Sequence, residues 1–421
     1  MEIHAVRGMH DLFGEEMDRW RTVESRLREI ATSFSYQEIR TPVLEKMEVF
    51  SHTVGDETDI VEKQMYTVLN EGTEKLVLRP EGTAGFIRSV VEHQLQQTGH
   101  PQRFYYYLPM FRHERPQKGR LRQFHQFGAE IINDPSPEAD AEIIAVLDQV
   151  YRSFGISEYE VRVNSVGCPE CRPAYKELLK EYIRPNLDSL CGECQKRFER
   201  SPLRILDCKK PNCQGVVQSA PRMVNHLCVN CQGHHSTFLH ALSAAHVKFT
   251  EDPNIVRGLD YYTRTAFEFT SDLLGAQSAL GGGGRYDGIS TRFGAKTFPG
   301  VGFALGMERL LIALEAKQAI QANPQSPVFY FAPLGEAAYH RLFPLSFALK
   351  RRGVPTLMAY EKDKGLKWLM KQADRLNAKY ALLLGDDEIK HGKAILKDMK
   401  TSEQEMLDLH HLEESLMRKT T

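Results

Sequence analysis

The sequence predicts an α+β domain followed by a smaller α/β domain, and three observations carry that expectation. Residues 103–132 (RFYYYLPMFRHERPQKGRLRQFHQFGAEII) read as two long strands joined by a short basic loop. From Pro327 the chain changes style, and strands alternate with helices to its end. All eight cysteines fall between Cys168 and Cys231, marking a segment of its own. With 421 residues the chain is too long for one ordinary core, so two or three domains are expected.

Taken in order, residues 16–35 carry a helical apolar period through Trp20, Val23, Leu27, Ile30 and Ala31. Residues 37–50 (QEIRTPVLEKMEVF) follow around Pro42, and 76–78 form a short strand. It runs into RPEGTAGFIRSVV (79–91), where Gly82 and Thr83 precede a helix. In the hairpin, the first strand (104–113) brings Arg112 and Glu114 to its end. The second (122–132) alternates, with Phe124, Gln126, Gly128 and Glu130 on one face and Phe127, Ala129 and Ile131 on the other. A solvated hairpin with a charged turn explains the alternation alone. A ring, an amide, a glycine and a carboxylate in register suit a small polar ligand better, and Arg115, Lys118, Arg120 and Arg122 make the tip suited to polyphosphate or nucleic acid.

A helix is expected over 139–151 and a strand over 161–167, after which the cysteine segment interrupts a pattern that resumes near Val247. Residues 257–270 (RGLDYYTRTAFEFT) alternate like a strand after a loop, 281–288 (GGGGRYDG) read as a backbone-exposing loop, and 301–314 read strand, glycine, helix. The polar stretch 317–326 reads as a linker. Beyond it come strand PVFYFAP, a helix over 340–351, strand GVPTLMAY, a helix over 364–376, and KYALLLGDDEI as strand and turn, which predicts a largely parallel sheet.

Hydrophobic residues make up 42% and charged residues 26%, proportions of a soluble globular protein. A net charge of −1 leaves nucleic-acid contact to local patches. MEIHAVRGMHDLFG is not a secretory signal, and no apolar run reaches membrane-spanning length, so a cytoplasmic location without membrane partners is expected.

Four separated pieces fit one chemistry: RPEGT (79–83), FRHERPQKGRLRQFHQFGAE (111–130), RGLDYYTRT (257–265), and GGGGRYDG with GFALGMERL (281–310). Together they resemble the class II histidyl-tRNA synthetases over essentially the whole chain. FRHERPQKGR and GFALGMER resemble the second and third class II motifs. QEIRTPVLEKMEVF resembles the first, which in the family lies at the dimer interface, and RGLDYYTRT resembles a motif peculiar to histidine-specific members. The resemblance implies an antiparallel six- or seven-stranded sheet flanked by helices over residues 1–322, interrupted by a Cys-rich insertion at about 168–245. It implies an anticodon-binding α/β domain over 327–421 and a homodimer.

The reaction implied joins L-histidine to tRNA(His) through a histidyl-adenylate, with ATP and Mg²⁺. An anion attacks a more highly charged anion, so cations must neutralise the phosphates and geometry must hold them in line. By resemblance, Arg112 holds the α-phosphate and the substrate carboxylate, and Arg257 is catalytic on the other side of that phosphate. Arg309 grips the γ-phosphate with help from Arg120, Phe124 stacks on adenine, and Glu114 sits near the adenine amino group. Gly281 to Gly284 let main chain approach the ligand.

Histidine selectivity follows from an imidazole that offers one donor and one acceptor. Glu130 accepts the ring N–H, Tyr262 serves the other nitrogen, Tyr261 forms a wall, and Glu81, Thr83 and Gln126 meet the α-amino group. Arg115 and Gln117 match positions that in bacterial members read the extra 5′ guanosine of the histidine tRNA. Lys364, Lys367, Lys371 and Arg375 fall at helical spacing, as either a phosphate-tracking stripe or a solvated face.

Cys168-x2-Cys171, Cys191-x2-Cys194, Cys208-x4-Cys213 and Cys228-x2-Cys231 suit structural Zn²⁺. They make two sites, or one with the other thiols free; the pairing is open at this stage. His226, His234 and His235 lie nearby without being required as ligands.

Two other readings compete. A catalytically dead regulatory paralogue from histidine biosynthesis shares the core but characteristically lacks the C-terminal domain and has eroded ATP motifs. Here Arg112, Glu114, Arg257 and Arg309 are all present and a further domain follows the linker. A class II synthetase for another amino acid is opposed by RGLDYYTRT with Glu130.

Overall fold

Helix α1 (Gly14–Ser33) buries Trp20, Val23, Leu27, Ile30 and Ala31, the stripe that its apolar spacing marks. This computed structural model describes residues 3–54, 60–69, 72, 74–255, 261–275, 279–320, 326–361 and 363–420. The chain separates into two units, Met1–Ala322 and Asn323–Thr421.

In the first unit, β1 (Gln37–Glu38), β2 (Leu44–Lys46), α2 (Met47–Val54), β3 (Tyr66–Val68), β4 (Leu76–Leu78) and α3 (Thr83–Glu92) precede the hairpin. The hairpin is β5 (Gln102–Phe111) and β6 (Gln123–Ile132), paired from Gln102 opposite Ile132 to Phe111 opposite Gln123. Then come α4 (Pro137–Ser153), β7 (Glu160–Ser165), the insertion helices α5 (Arg172–Ile183), α6 (Gly192–Arg200), α7 (Pro211–Val217) and α8 (Val229–Ala244), and β8 (Thr250–Glu251). The unit finishes with β9 (Thr263–Thr270), β10 (Ala279–Arg285), β11 (Gly300–Gly306) and α9 (Met307–Ala316).

The main sheet runs β1-β5-β6-β11-β10-β9-β7-β8. Its six inner strands are antiparallel, and the two-residue edges β1 and β8 add parallel. One face packs Phe127, Ala129, Ile131, Phe267, Phe303 and Leu305 on α1, α4 and α9. The opposite face meets α3 through Phe86, Ile87 and Val90, and there the site opens.

GGGGRYDG corrects an expectation. Its four consecutive glycines, Gly281 to Gly284, form no loop; they lie in β10, between β9 and β11. Glycine is a poor strand former, which is why the run reads as a loop. Packing decides otherwise: a Cβ on Gly283 would lie 1.9 Å from the Gly302 carbonyl oxygen, so only glycine lets the strands approach.

The insertion has its own core, in which the cysteines join Tyr175, Leu179, Ile183, Phe198 and Ile205. In the second unit, β12 (Phe329–Pro333), β13 (Thr356–Met358), β14 (Tyr380–Leu384), β15 (Lys393–Asp398) and β16 (Gln404–Asp408) take the order β13-β12-β14-β15-β16. The largely parallel sheet is a second correction: β13, β12 and β14 are parallel, but β15 and β16 add antiparallel. At the edge, Gln404, Glu405 and Met406 are all exposed, so β16 has no apolar alternation to announce it.

Candidate active site

The register of the hairpin builds the site. Phe104 faces Glu130, Leu108 faces Gln126 and Met110 faces Phe124, so the polar set of β6 lies on the α3 side of the sheet. Strand β11 continues that face by setting Gly302 opposite Glu130 and Gly306 opposite Gln126. A hollow of about 320 Å³ opens there. Glu81, Thr83, Arg112, Glu114, Arg120, Phe124, Gln126, Tyr261, Tyr262 and Arg309 all line it, as do Gly281 and Gly282.

The cations come from three places in the chain. Arg112 leaves the end of β5, donates its Nε–H to the Pro80 carbonyl at 2.8 Å and lies over the Phe124 ring at 5.2 Å. Arg309, in the first turn of α9, is held by the carbonyls of Gly119 (3.1 Å) and Ala279 (2.7 Å). Arg120 pairs with the buried Glu114. Burial lowers the Arg112 guanidinium to about 10, with Arg120 and Arg309 pushing the same way against Glu81. Burial and Arg120 lower Arg309 as well. Desolvated cations that repel one another in an open cavity attract a polyanion strongly.

At the other end stand the aromatic rings. Tyr261 and Tyr262 have ring centroids 4.7 Å apart, and Tyr286 meets Tyr261 edge-on at 6.1 Å. Glu130, fully buried, accepts hydroxyls from Tyr286 (2.6 Å), Thr83 (2.9 Å) and Tyr106 (3.3 Å). Burial pushes its carboxyl up to about 8 against the pull of those hydroxyls. Gly302 makes room for it, since a Cβ there would lie 1.6 Å from Glu130 Oε2. Glu81 accepts the backbone N–H groups of Thr83 and Ala84, both at 2.8 Å, and so caps α3. Gln126 Oε1 is buried with no hydrogen-bond partner among the described residues.

Arg257 lies outside the described residues. Arg115 and Gln117 stand exposed on the hairpin loop and do not line the hollow. Sequence reasoning passed over Tyr106, Tyr286, Glu268 and Glu308. Tyr286 lies inside GGGGRYDG and Glu308 inside GFALGMERL; the alternation of β5 puts Tyr106 on the same face as Phe104 and Leu108, opposite Gly128. Glu268, opposite Gly282 on β9, also lines the hollow, and only the register identifies it.

The cysteines gather apart from the hollow in two groups, Cys168, Cys171, Cys228 and Cys231, and Cys191, Cys194, Cys208 and Cys213. Within each, all four sulfurs lie within 4.8 Å of one another. The histidines nearby are engaged elsewhere: His234 with Asp140 at 2.7 Å, His235 with Glu251 at 2.9 Å, and His226 against the Tyr175 ring.

Comparison with known proteins gives concordant matches. A family model described as histidyl-tRNA synthetase matches residues 8–171 and 172–310, and one described as an anticodon binding domain matches 329–419. A histidine–tRNA ligase of Acetivibrio thermocellus is 43% identical, covering 98% of this chain and 99% of its own length. One from Desulfitobacterium hafniense is 44% identical, covering 100% and 99%. The apo histidyl-tRNA synthetase of S. aureus superposes with a TM-score of 0.83 at 35% identity, over 99% of this chain and 100% of that one. A Bacillus halodurans structure described as an ATP phosphoribosyltransferase regulatory subunit/histidyl-tRNA synthetase shares the fold, with a TM-score of 0.64 at 21% identity over 91% of this chain and 99% of that one.

Proposed function

The chain belongs to the histidyl-tRNA synthetase family and attaches histidine to tRNA(His) in an ATP-dependent reaction through a histidyl-adenylate; from that premise we propose how its residues divide the work. In the first step the histidine carboxylate oxygen bonds to the α-phosphorus of ATP and pyrophosphate leaves. In the second, the terminal ribose hydroxyl of the tRNA attacks the activated carbonyl and AMP leaves.

Arg112 neutralises the α-phosphate and holds the attacking carboxylate beside it, while Arg309 and Arg120 hold the outer phosphates. Phe124, already under the Arg112 guanidinium, stacks on adenine, and Glu114 receives the adenine amino group. Arg257 takes the catalytic place that its motif implies. Hard carboxylate oxygens suit Mg²⁺, and Glu268 and Glu308 face the hollow, so the residues present fit the ion that accompanies ATP.

At the histidine end, Glu130 accepts the imidazole N–H, Tyr262 serves the second nitrogen and Tyr261 walls the ring. Gln126, whose oxygen has no partner among the described residues, meets the α-ammonium with Glu81 and Thr83. The convergence of Arg112, Arg120 and Arg309 with two tyrosines above a buried carboxylate carries this reading. ATP–pyrophosphate exchange tested across the amino acids checks it: exchange with histidine alone is expected, and exchange with another amino acid overturns the pocket assignment. The regulatory paralogue is not favoured, since the curated relatives match along the full length, anticodon-binding domain included.

Arg115 and Gln117 meet the acceptor end of the tRNA; their exposure on a basic loop supports this. The enzyme works in the cytoplasm, and no helix among the described residues is long and apolar enough to cross a membrane. It acts as a homodimer, a reading supported by Val43 and Leu44, exposed in the first-motif segment. The cysteines hold structural zinc and take no part in the chemistry.

A further inference from the structure

The two cysteine groups are alike in chemistry and unlike in position. Sulfur atoms lie 3.7 Å (Cys168–Cys171), 3.8 Å (Cys168–Cys228) and 3.9 Å (Cys171–Cys231) apart in one, and 3.9 Å (Cys191–Cys208) in the other. Thiolates at zinc's bond length of about 2.3 Å form a tetrahedron with edges of about 3.8 Å. A disulfide needs about 2.05 Å. Both groups therefore fit one ion each. Backbone N–H groups already point at sulfur in both, from Cys168 to Cys171 (3.2 Å) and from Cys191 to Cys213 (3.3 Å), as suits a thiolate.

The inner group takes one pair from the start of the insertion, just after β7, and the other from its end, at the start of α8. The ion would thus close the insertion at its root. From there, two routes reach the histidine end of the hollow. Arg172, next to Cys171, donates to the carbonyls of Val166 (3.2 Å), Gly167 (3.0 Å) and Tyr262 (2.6 Å). Gly167, next to Cys168, accepts the Arg264 N–H at 2.8 Å. The second route runs along α8, where His234, one turn beyond Cys231, bonds Asp140. Asp140 holds Arg285 at 2.9 Å, and the neighbouring Tyr286 bonds Glu130 at 2.6 Å. The outer group lies wholly within the insertion, and its hydrogen bonds stay there: Cys191 N–H to Cys213, and the Gln214 amide to the Cys208 carbonyl.

We propose that the insertion holds two zinc ions with different duties. The inner one, on Cys168, Cys171, Cys228 and Cys231, fixes the Tyr261–Tyr262 wall and so sets histidine affinity. The outer one, on Cys191, Cys194, Cys208 and Cys213, holds the insertion alone. Arg172 is a positioning residue that acts through the Tyr262 backbone. This inference rests on the histidine pocket assigned above.

The test uses the full chain and reads zinc by elemental analysis, and histidine and ATP affinities by calorimetry. The wild type should carry two zincs, and Cys228→Ser and Cys191→Ser should each lose one. Histidine binding should weaken about tenfold or more in Cys228→Ser and stay within about twofold in Cys191→Ser, with ATP affinity near normal in both. Arg172→Ala should keep both zincs and still weaken histidine, which guards against a Cys228→Ser chain that fails to fold. Unchanged histidine affinity in Arg172→Ala, or equal weakening by the two cysteine variants, overturns the division of duties. Wild type without zinc overturns the metal sites. Gln126→Ala separates the two levels: if it binds histidine as the wild type does, the pocket assignment falls and the coupling with it; if it binds weakly while Cys228→Ser and Arg172→Ala bind normally, only the coupling falls.

Discussion

In the hollow, Arg112, Arg120 and Arg309 face a cavity and one another; in the insertion, eight thiols face one another at distances that one ion per group satisfies. Both regions bury polar groups at a cost. The hollow meets that cost only in part, through Glu114 and the carbonyls of Pro80, Gly119 and Ala279, and a polyanion would offset the rest. The insertion has small apolar stretches between its cysteines, and the zinc proposed for it would stabilise what so small a core cannot. Removing a charge from the first should harm function and spare stability. Removing a thiol from the outer cysteine group of the second should do the reverse.

The largest expected effect is that of Arg112→Ala. ATP–pyrophosphate exchange should fall about 10²–10³-fold, with little loss of melting temperature because a repelling cation is gone. A folded variant with near-normal exchange would break the comparison on the functional side. Cys194→Ala should behave oppositely: stability should drop by more than about 3 kcal/mol in denaturant unfolding, while histidine-dependent exchange at low temperature stays within about twofold. Equal losses of exchange in these two variants would erase the distinction.

Gly283→Ala sharpens the contrast within the catalytic sheet. Its Cβ would meet the Gly302 carbonyl, so destabilisation of at least about 1–3 kcal/mol should appear in the melting curve, although Gly283, unlike Gly281 and Gly282, does not line the hollow.

Glu130→Gln gives a smaller, pH-dependent effect. The folded carboxyl at about 8 stands above its ordinary value of 4.5, so the folded wild type holds a proton that the unfolded chain releases. Stability contributed by that proton is full below about 4.5 and is lost as pH rises towards 8. The stability of wild type relative to Glu130→Gln should therefore fall between pH 5 and 8, and a parallel pair of profiles would refute the assignment. The smallest effect belongs to Arg115→Ala: KM for tRNA should rise about two- to fivefold with pyrophosphate exchange unchanged.

Much of this was legible before any coordinates. The α1 stripe from Trp20 to Ala31 was readable because a helix buries residues at a fixed spacing. The two faces of β6 were readable because a strand alternates, and the motif arginines Arg112 and Arg309 do face one hollow. The GGGG run misled because local propensity favours a loop, whereas the close approach of β11 demands glycine in a strand. Strand β16 escaped because an edge strand with exposed Gln404, Glu405 and Met406 leaves no pattern.

The sequence by itself determined which chemistries were present: guanidinium groups in ordered motifs, a polar strand face on a hairpin, and cysteines in spaced pairs. All of these are local, set by residue type and by periods of a few residues. Only the tertiary structure decided who meets whom. It joined Cys168 to Cys228 across the insertion, placed Tyr106 and Tyr286 on Glu130, and tied Arg172 to the Tyr262 backbone. Such contacts link residues 24 to 156 positions apart, and chain spacing carries no information at that range; only the packing of whole elements does.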